Sequence, residues 1–430
     1  MATSESAPYR DLESIRRRAR AAAEAVDPEA VVALTRALVR IRSVYEPSSG
    51  SNEQEAAQFI AAHLRTMGLA VVLEEAAPGR PNVIADWQGS HYHRSRHRTL
   101  MFEGHSDVVT EGDAEAWHHP PFAATLLDGR IYGRGSCDMK AGNAAAICAL
   151  AAVMQSNPDL PGRIRLGIVA DEEGMMLGIK HFIDQGWAEE VDGAIICEPE
   201  ENELCLFQKG AMRVRVDATG VMAHGAMPYA GVNPIPPLAR FISEVSQLQQ
   251  QEQTRLGEHP YLGLPWFTPT IVQAPARGEA QLNVMPDNAS LSLDIRTVPG
   301  QDHDSLLQQL QAIASAISAE HSQLSLEVSC FESRPWTETP ADDPLVWALE
   351  QVYPDILQQA PRYGGVPGAT DGTFLHARAG VPIVTVGPGV RTVPHQRDEY
   401  VDVADVVAAA QLYAAAAVMY LASSSQVQDD

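Results

Sequence analysis

The chain has 430 residues, of which 45% are hydrophobic and 20% are charged, and its formal net charge at pH 7 is −24. A chain of this length exceeds the size at which one hydrophobic core keeps growing, so we expect two domains, and the composition is ordinary for a folded globular protein. The acidic excess argues against nucleic acid and anionic membranes as main partners, because both carry negative charge.

The cysteines and the hydropathy pattern predict a reducing, cytoplasmic location. The five cysteines are odd in number and none lies in a C-x-x-C pair, so free thiols are expected and not a disulfide framework. The first 26 residues contain no apolar stretch typical of a secretory signal, and no uninterrupted run of apolar residues is long enough to span a membrane. We therefore predict a cytoplasmic protein without membrane contact.

The first part of the chain alternates predicted helices and strands. A helical pattern extends from Asp11 to about Arg42, and a second helix extends from about Asn52 to Met67. Strands follow at LAVVLEE, NVIADW and TLMFEGHSDVV. Between the last two lies the basic segment QGSHYHRSRHR, whose His91, His93 and His97 could bind a metal, although a solvated hairpin tip is favoured.

The same alternation continues as far as Glu198 and predicts the fold class. The next elements are a helix from Met139 to about Gln155, the strand RIRLGIVA, a helix from about Met176 to Asp184 and the strand GAIICE. Strands that alternate with helices form a mostly parallel sheet with helices on both faces. We therefore expect an α/β fold.

From about Ala211 to Phe331 the order of the elements changes to βαββαβ. The strands are RVRVDATG, TPTIVQAP, ASLSLDIR and LSLEVSCF, with one helix after the first strand and one after the third. This order is typical of the split-βαβ, ferredoxin-like arrangement. We therefore expect a small α+β domain inserted into the larger one.

The α/β pattern resumes after Pro335. It contains a helix near Pro344 to Val352, the strand VPIVTVG and a final Ala-rich helix from about Val403 to Ala422. The predicted domain limits are therefore 1–210 and 332–430 for the two parts of the large domain, and 211–331 for the inserted domain.

Acidic and imidazole side chains lie just past the ends of several predicted strands, at the edge where open α/β sheets bind ligands. His105 and Asp107 follow one such strand. Residues two apart on a strand share a face, so the Asp107 carboxylate could hydrogen-bond the second nitrogen of a metal-binding His105 imidazole. Taken alone, such a pair more often has a core or surface role.

Asp138 lies in a glycine-rich turn that opens a predicted helix. The ordinary role of an aspartate at this position is to cap the helix N-terminus, although the carboxylate could also bridge two metal ions. Lys140, two residues further on, is expected to be solvated.

Two adjacent glutamates, Glu172 and Glu173, follow the strand RIRLGIVA. Their side chains point in different directions, so one could bind a metal while the other accepts a proton from an activated water; carboxylates that favour a helix start are an equal alternative. Glu198 ends an apolar strand, where an unpaired carboxylate is costly to bury, and this favours a ligand role. His395 lies in a loop after another buried strand.

Taken in order, these residues and their neighbours resemble the M20 family of dinuclear metallohydrolases, which includes desuccinylases, deacetylases, aminoacylases and carboxypeptidases. The matching segments follow the family's order from about residue 30 to residue 420. They are GHSDVV, W-x-x-x-P-F (Trp117 to Phe122), DGRIYGRGSCDMKAG, DEEGMMLG, CEPE, AHGAMPYAGVNPI, NVMPDNASLSLDIR and VGPGVRTVPHQRDEY.

The resemblance implies a site with two divalent metal ions. His105 and Glu198 would bind one ion, Glu173 and His395 would bind the other, and Asp138 would bridge them. Zinc is the common metal in such sites, and nitrogen and oxygen ligands also suit cobalt or manganese.

The resemblance also implies roles outside the ligand set. Asp107 would orient His105, and Glu172 would be the general base. His224 would reach the site of a neighbouring subunit and stabilise the oxyanion, which implies a homodimer formed through an inserted domain that serves as a lid. The residues expected to contact a substrate are Asn283, Arg296, Gly368 and Thr370, and Asp371 is expected to cap the next helix. An arginine suits a substrate carboxylate because it binds it through two parallel hydrogen bonds.

These roles predict a hydrolase that cleaves the amide C–N bond of an N-acyl amino acid or small peptide, a small carboxylate-bearing molecule. A second hypothesis keeps the site but releases ammonia from an activated aromatic or amidine carbon, since a scaffold does not dictate the bond that is attacked. A third is an inactive metal-binding or peptide-binding module, which is disfavoured because no ligand and no base is missing.

Overall fold

The computed structural model describes residues 12–423, which divide into two compact units. The large unit contains the residues up to Leu206, Thr339–Gly364 and the residues from Thr370 on, and the small unit contains Phe207–Glu338 and Gly365–Ala369. The domain limits 1–210, 211–331 and 332–430 stay a prediction.

The helices and strands of the described residues are as follows. The helices are α1 Leu12–Glu24, α2 Pro28–Val39, α3 Gln54–Thr66, α4 Ala141–Ser156, α5 Leu177–Asp184, α6 Ile235–Leu256, α7 His303–Ser318, α8 Pro344–Leu357, α9 Gly372–Ala379 and α10 Val403–Ala422. The strands are β1 Ala70–Ala77, β2 Arg80–Gln88, β3 Thr99–His105, β4 Thr125–Leu127, β5 Arg130–Tyr132, β6 Arg163–Val169, β7 Gly193–Ile196, β8 Leu204–Gln208, β9 Gly210–Thr219, β10 Ala223–His224, β11 Trp266–Gln273, β12 Val284–Met285, β13 Asn288–Thr297, β14 Ser325–Arg334, β15 Thr337–Glu338, β16 Tyr363–Val366, β17 Ile383–Thr385 and β18 Tyr400–Asp402.

The large unit is built on a twisted sheet whose strands follow the order β1-β2-β6-β3-β7-β17-β8. The four central strands, β6, β3, β7 and β17, are parallel to their neighbours in that group, whereas β1, β2 and β8 pair antiparallel at the flanks. The predicted α/β fold with a mostly parallel sheet is therefore confirmed.

Helices cover the two faces of this sheet. On one face α10 packs against α1, α4 and α8, and α4 also contacts β3 and β6. On the other face α5 contacts β1, β2 and α9, and its Phe182 joins a core cluster with Met101 of β3. Phe102, the next residue of β3, contacts Tyr413 of α10, as expected from the alternation of side chains along a strand.

Two described segments are long and apolar enough to cross a membrane by length and composition alone, Ser136–Ser156 and Val403–Ala422. In the structure, 83% and 67% of their most apolar stretches are buried inside the protein. The hydrophobicity of α4 and α10 is therefore explained by the core of the large unit, because a helix that is apolar all round is typically a core helix.

The small unit has the predicted ferredoxin-like order of elements. Its antiparallel sheet follows the order β11-β13-β9-β14, and α6 and α7 pack on one face of that sheet. The inward side chains of the strands, among them Val214 and Leu291, form a core cluster with Phe241 of α6 and Leu310 of α7. The opposite face carries charged residues such as Arg215 and Asp294.

Three details of the large unit differ from the sequence-based expectation. The first helical pattern is interrupted, because the Asp27 side chain accepts a hydrogen bond from the N–H of Glu29 and Pro28 begins a new helix; Asp11 lies outside the described residues. The segment 88–98 is not a hairpin tip, since β2 and β3 both pair with β6 and not with each other. The short sheet β18-β5-β4 and the strand β8 were not predicted, because strands of three to five residues carry little periodicity.

Candidate metal centre

His105 is the last residue of β3, and its imidazole is buried. Its Nδ1 lies 2.9 Å from the backbone oxygen of Asp107 and 3.5 Å from the Asp107 carboxylate. Because a carbonyl oxygen can only accept, Nδ1 carries a proton, and Nε2 is the nitrogen that faces the carboxylates of Asp138 and Glu198. His105 therefore donates from Nδ1 mainly to the backbone oxygen of Asp107 and less directly to the carboxylate expected from the sequence, and this contact orients the ring.

The Asp107 carboxylate instead holds the turn that follows β6. It accepts hydrogen bonds from the N–H groups of Glu172 at 3.2 Å and of Glu173 at 3.0 Å. Burial opposes the charged form of Asp107, but the neighbouring His105 and these N–H groups outweigh it and lower the pKa of the carboxyl. Asp107 thus fixes the backbone from which both glutamates project.

Asp138 lies between two imidazoles. Its Oδ1 is 3.1 Å from Nε2 of His105, and its Oδ2 is 3.5 Å from Nε2 of His395. The alternative that Asp138 caps the next helix is wrong, because α4 begins after Lys140 and the Asp138 carboxylate faces the imidazoles. Gly135 opens this turn with a φ of +79°, a left-handed conformation that favours glycine.

A buried ion pair that the sequence did not reveal holds the backbone on both sides of this arrangement. Oε1 of Glu399 accepts hydrogen bonds from the N–H groups of Cys137 at 2.9 Å and Asp138 at 3.1 Å, and Oε2 lies 2.5 Å from Nη1 of Arg134. Arg134 also donates from Nη2 to the backbone oxygen of His395 at 3.3 Å. Glu399 lies within the segment VPHQRDEY and Arg134 within DGRIYGRGSCDMKAG, but nothing in the two patterns shows that these residues pair.

His395 and Glu173 form a second contact across the centre. Nε2 of His395 lies 2.9 Å from Oε1 of Glu173. The hydrogen bonds that His395 donates to the carboxylates of Asp138 and Glu173 raise the pKa of its imidazole to about 10, although burial acts in the opposite direction. The side chain of His395 is half exposed, so this edge of the centre opens to solvent.

Glu198 and Glu172 complete the cluster around His105. Oε1 of Glu198 lies 3.6 Å from Nε2 of His105. Two groups of donor atoms have all members within 4.8 Å of one another, and both groups contain His105. The first is His105 with Asp138 and Glu173, and the second is His105 with Glu172 and Glu198.

The donor set has the chemistry that a pair of divalent cations requires. Burial raises the pKa of Glu172, Glu173 and Glu198, and neighbouring carboxylates raise it further. Crowded carboxylates that resist ionisation together are stabilised when cations lie between them. Nitrogen and oxygen donors without a thiolate suit zinc, cobalt or manganese.

Lys140 differs from its expected exposure. Its side chain is fully buried, and Nζ donates a hydrogen bond to the backbone oxygen of Ile41 at 2.6 Å. Burial lowers the pKa of the ammonium to about 7, against the attraction of Glu399 and Asp107. Lys140 therefore belongs to the interior that supports the centre and not to the solvated surface.

The other residues that the sequence singled out lie in both units. His224 and Asn283 lie in the small unit, where β10 pairs with β12 and the backbone oxygen of Asn283 accepts from the N–H of Gly225 at 2.7 Å. The exposed His224 ring accepts from the N–H of Ala226. Arg296 pairs with Asp294 at 2.7 Å, so its guanidinium is already engaged.

The turn before α9 carries the remaining predicted residues. Gly368 belongs to the small unit, whereas Thr370 belongs to the large one and its hydroxyl accepts from the N–H of Gly372 at 3.2 Å. Asp371 occupies the N-cap position of α9, as expected, but its carboxylate makes no capping hydrogen bond. The three histidines of segment 88–98 do not form a metal-binding group among the described residues.

Comparison with known proteins places the chain in a family. Residues 101–418 match the model of peptidase family M20/M25/M40. A probable succinyl-diaminopimelate desuccinylase of Staphylococcus aureus is 30% identical over 342 residues, which covers 75% of this chain and 83% of that protein. A succinyl-diaminopimelate desuccinylase of Gluconacetobacter diazotrophicus is 29% identical over 406 residues, or 91% and 97% of the two chains.

Solved structures share the fold. The M20 family metallo-carboxypeptidase Sso-CP2 of Sulfolobus solfataricus superposes with a TM-score of 0.73 at 18% identity, over 91% of this chain and 99% of that one. The YXEP protein of Bacillus subtilis, described as a dinuclear metal binding peptidase, superposes with a TM-score of 0.68 at 17% identity, over 92% and 98% of the two chains. The resemblance noted in the sequence is confirmed: the chain belongs to peptidase family M20/M25/M40.

Proposed function

We propose that this protein is a metal-dependent hydrolase that cleaves the amide C–N bond of an N-acyl amino acid or a small peptide. The observation that carries the proposal is the pair of donor groups that share His105, set at the carboxyl edge of the parallel strands. Family membership and the names of the desuccinylase relatives support an acyl group on nitrogen as the part that is removed.

Two divalent ions would occupy the centre. One ion would be held by His105 and Glu198, the other by Glu173 and His395, and both would share Asp138, whose carboxylate lies between the two imidazoles. Zinc is the metal we expect, with cobalt and manganese as alternatives that the same donors accept.

Glu172 would act as the general base. It lies in the same donor group as His105 and Glu198, and its backbone is fixed by Asp107, so its carboxylate can take a proton from the attacking water and return it to the leaving amine. The bound ions would supply Lewis acidity toward that water and toward the carbonyl of the substrate. Asp107 would keep His105 in the tautomer that leaves Nε2 free.

The substrate would be a small molecule that bears a carboxylate. Arg296 would bind that carboxylate by exchanging its present partner Asp294, and Asn283, Gly368 and Thr370 would make further contacts. An N-succinyl amino acid is the first compound to test, because the relatives from two bacterial genera are named for that substrate class.

The inserted domain, residues 211–331, would serve as the lid and as the contact of a homodimer. His224 of one subunit would then stabilise the oxyanion in the site of its partner, and its exposed ring fits such a role. We place the enzyme in the cytoplasm. Sedimentation velocity on the purified protein tests the dimer, and a monomer at micromolar concentration would exclude the role of His224 in a partner's site.

A screen of metals against substrates on the purified protein tests the activity. Glu172→Gln should retain two metal ions per chain, measured by mass spectrometry of the metal content, while kcat falls by about 10²- to 10⁴-fold, because the proton acceptor is lost and the ligands are not. Glu115→Gln, a change of the same kind at an exposed site, should match the wild-type protein in both measurements.

The panel should contain N-succinyl and N-acetyl amino acids, dipeptides and aryl amines, with separate assays for carboxylate and for ammonia. Release of ammonia alone would favour an aminohydrolase. Two bound metal ions without turnover of any compound would favour a binding module, and full activity of Glu172→Gln would overturn the mechanism.

A further inference from the structure

Arg80, the first residue of β2, is a buried cation in contact with two carboxylates. Its side chain is 5% exposed, its Nε lies 2.9 Å from Oε2 of Glu53, and its Nη1 lies 2.6 Å from Oδ1 of Asp171. The guanidinium also stacks on the ring of Tyr45, with 3.7 Å between Cζ and the ring centroid. A buried charge is retained only with partners in good geometry, so these contacts fix Asp171 relative to the start of β2.

Asp171 in turn shapes the segment that carries Glu172 and Glu173. Its φ of +70° lies in the left-handed region, which is uncommon for a residue other than glycine. Its Oδ2 accepts hydrogen bonds from the N–H groups of Met175 at 3.0 Å and Leu177 at 3.2 Å. The turn therefore closes around the Asp171 carboxylate, whose other oxygen faces the guanidinium.

We propose that Arg80 is a positioning residue of the candidate metal centre and acts through Asp171 on Glu172 and Glu173. Asp107 holds the N–H groups of the two glutamates, and Arg80 holds the residue immediately before them. The effect on metal binding rests on the function proposed above, because it requires Glu173 to be a ligand. The effect on the turn of residues 171–177 does not depend on that function.

Removal of the guanidinium has a defined consequence. The Asp171 carboxylate loses its cationic partner. The ion pair with Arg80 then no longer stabilises the left-handed backbone conformation of Asp171. Glu173 then moves relative to His395, which it now meets at 2.9 Å. The ion that depends on Glu173 and His395 should be weakened more than the ion that depends on His105 and Glu198.

Arg165 offers a matched control. Its side chain is 4% exposed, its Nε and Nη2 lie 2.7 Å and 2.6 Å from the two oxygens of Asp86, and its guanidinium lies over the ring of Trp187. It is therefore buried, paired and stacked like Arg80. It lies near the beginning of β6, however, whereas Asp171 follows the end of that strand.

The first measurement is titration of the purified, metal-free, full-length protein with Co²⁺ alone, by calorimetry and by visible absorption. Wild-type protein and Arg165→Met should bind two ions per chain with the same affinities. Arg80→Met should bind one ion as the wild type does and the second with an affinity about 10- to 100-fold lower, the size typical of a lost supporting contact. Melting temperatures should fall by similar amounts in both variants.

The second measurement is hydrogen–deuterium exchange of the backbone amides in residues 171–177, which requires neither a metal nor a substrate. Exchange there should be faster in Arg80→Met than in the wild type and unchanged in Arg165→Met. A wild-type protein that binds no Co²⁺ would contradict the proposed function, and this second measurement would still decide the role of Arg80.

Arg80→Met leaves Glu53 buried without a cation, so a second variant guards against simple unfolding. Arg80→Met combined with Glu53→Gln removes the ion pair as a whole and should show the same loss at the turn. Arg80→Lys keeps the positive charge but lacks the planar guanidinium that binds a carboxylate through two nitrogens. This variant should recover part of the Co²⁺ affinity that Arg80→Met loses. Wild-type exchange and affinity in the folded double variant, or equal losses in Arg165→Met, would overturn the proposal.

Discussion

Glu399 is neither a candidate ligand nor the proposed base, yet we expect its charge to matter for the metal centre. It connects the turn of Asp138 with Arg134, and Arg134 connects with the loop of His395. Each of these three contacts joins two residues that lie 261 to 265 positions apart along the chain, so the geometry of the centre depends on contacts without any local sequence signal.

Glu399→Gln should weaken the binding of the second metal ion, or lower kcat, by about 10- to 100-fold. The amide oxygen can still accept hydrogen bonds from the turn of Asp138, but the buried Arg134 loses its counter-charge. Metal titration and steady-state kinetics measure the effect. Asp402→Asn removes the carboxylate from a half-exposed ion pair with Arg130 nearby and should change neither value. Equal behaviour of the two variants would show that the Glu399 charge is dispensable.

His303 provides a residue-scale prediction for pH. Burial lowers the pKa of this histidine to about 4, although Asp302 and Asp304 act in the opposite direction. Its ring nitrogens contact the hydroxyls of Thr297 at 2.7 Å and Ser333 at 2.8 Å. The neutral ring therefore joins α7 to β13 and β14 in the small unit.

The folded state resists protonation of His303, whereas the unfolded state takes up a proton near the ordinary pKa of about 6.5. The contribution of this residue to stability is therefore complete above pH 6.5 and is lost as the pH falls toward 4. Urea unfolding of the wild type and of His303→Gln at pH 7.5, 6 and 5 measures it. The difference between the two proteins should shrink as the pH falls, and a constant difference would contradict the prediction.

Residues that follow a recognisable strand can be predicted from the sequence, whereas residues that meet through contacts between distant segments cannot. His105, Glu173 and Glu198 were predicted because each follows an apolar strand, and the ends of parallel strands meet at one edge. Arg80 and Glu399 were not, because ion pairs between distant segments have no periodicity. The backbone partner of His105 was also missed, since a pattern of side chains does not specify where a carbonyl points.

At the scale of elements, close approach of backbones sets the position of the ligand-bearing loops. Gly142 lies in the first turn of α4, and a Cβ added there would lie 2.0 Å from the backbone oxygen of Cys197. Cys197 immediately precedes Glu198. The absence of a side chain at Gly142 therefore allows α4 to lie against the strand end that presents this candidate ligand.

Gly142→Ala tests this packing. Helix propensity alone predicts a gain of about 1 kcal/mol from the substitution. We expect the reverse, a lower melting temperature and weaker metal binding, because a backbone oxygen cannot move aside as a flexible side chain can. Differential scanning calorimetry and Co²⁺ titration measure the two effects, and an increase in stability would contradict the account.

The sequence predicts the ends of helices where a capping residue or a C-terminal glycine stands outside the helical pattern. It does not predict them where a capping residue lies inside a longer helical pattern. Asp27 and Pro28 divide the first helical stretch because the cap and the proline each start a helix better than they continue one. The short strand β8 carried no readable pattern. In the structure it pairs with β16 and β17.

At the scale of the whole molecule, the small unit has a core of its own. Its cluster of buried side chains comes mainly from two helices and four strands, all between Phe207 and Glu338. This arrangement could be predicted in outline, because the change from alternating to βαββαβ order is visible in the sequence.

The fragment 207–338 should therefore fold alone, with a cooperative thermal transition in circular dichroism. Phe241→Ala in the same fragment should abolish that transition or lower its midpoint strongly, since loss of a buried phenylalanine costs about 3–5 kcal/mol. A broad, non-cooperative melt of the unmodified fragment would show that its core needs the rest of the chain.

The position of β6 between β2 and β3 has a consequence for synthesis on the ribosome. β2 and β3 leave the exit tunnel before β6 does, and neither pairs with the other, so both expose unpaired edges until the strand Arg163–Val169 arrives. β17 and the loop of His395 follow only after the small unit has been made. Until then the nascent large unit lacks β17 and His395, and we therefore expect this unit to need chaperones more than the small unit does.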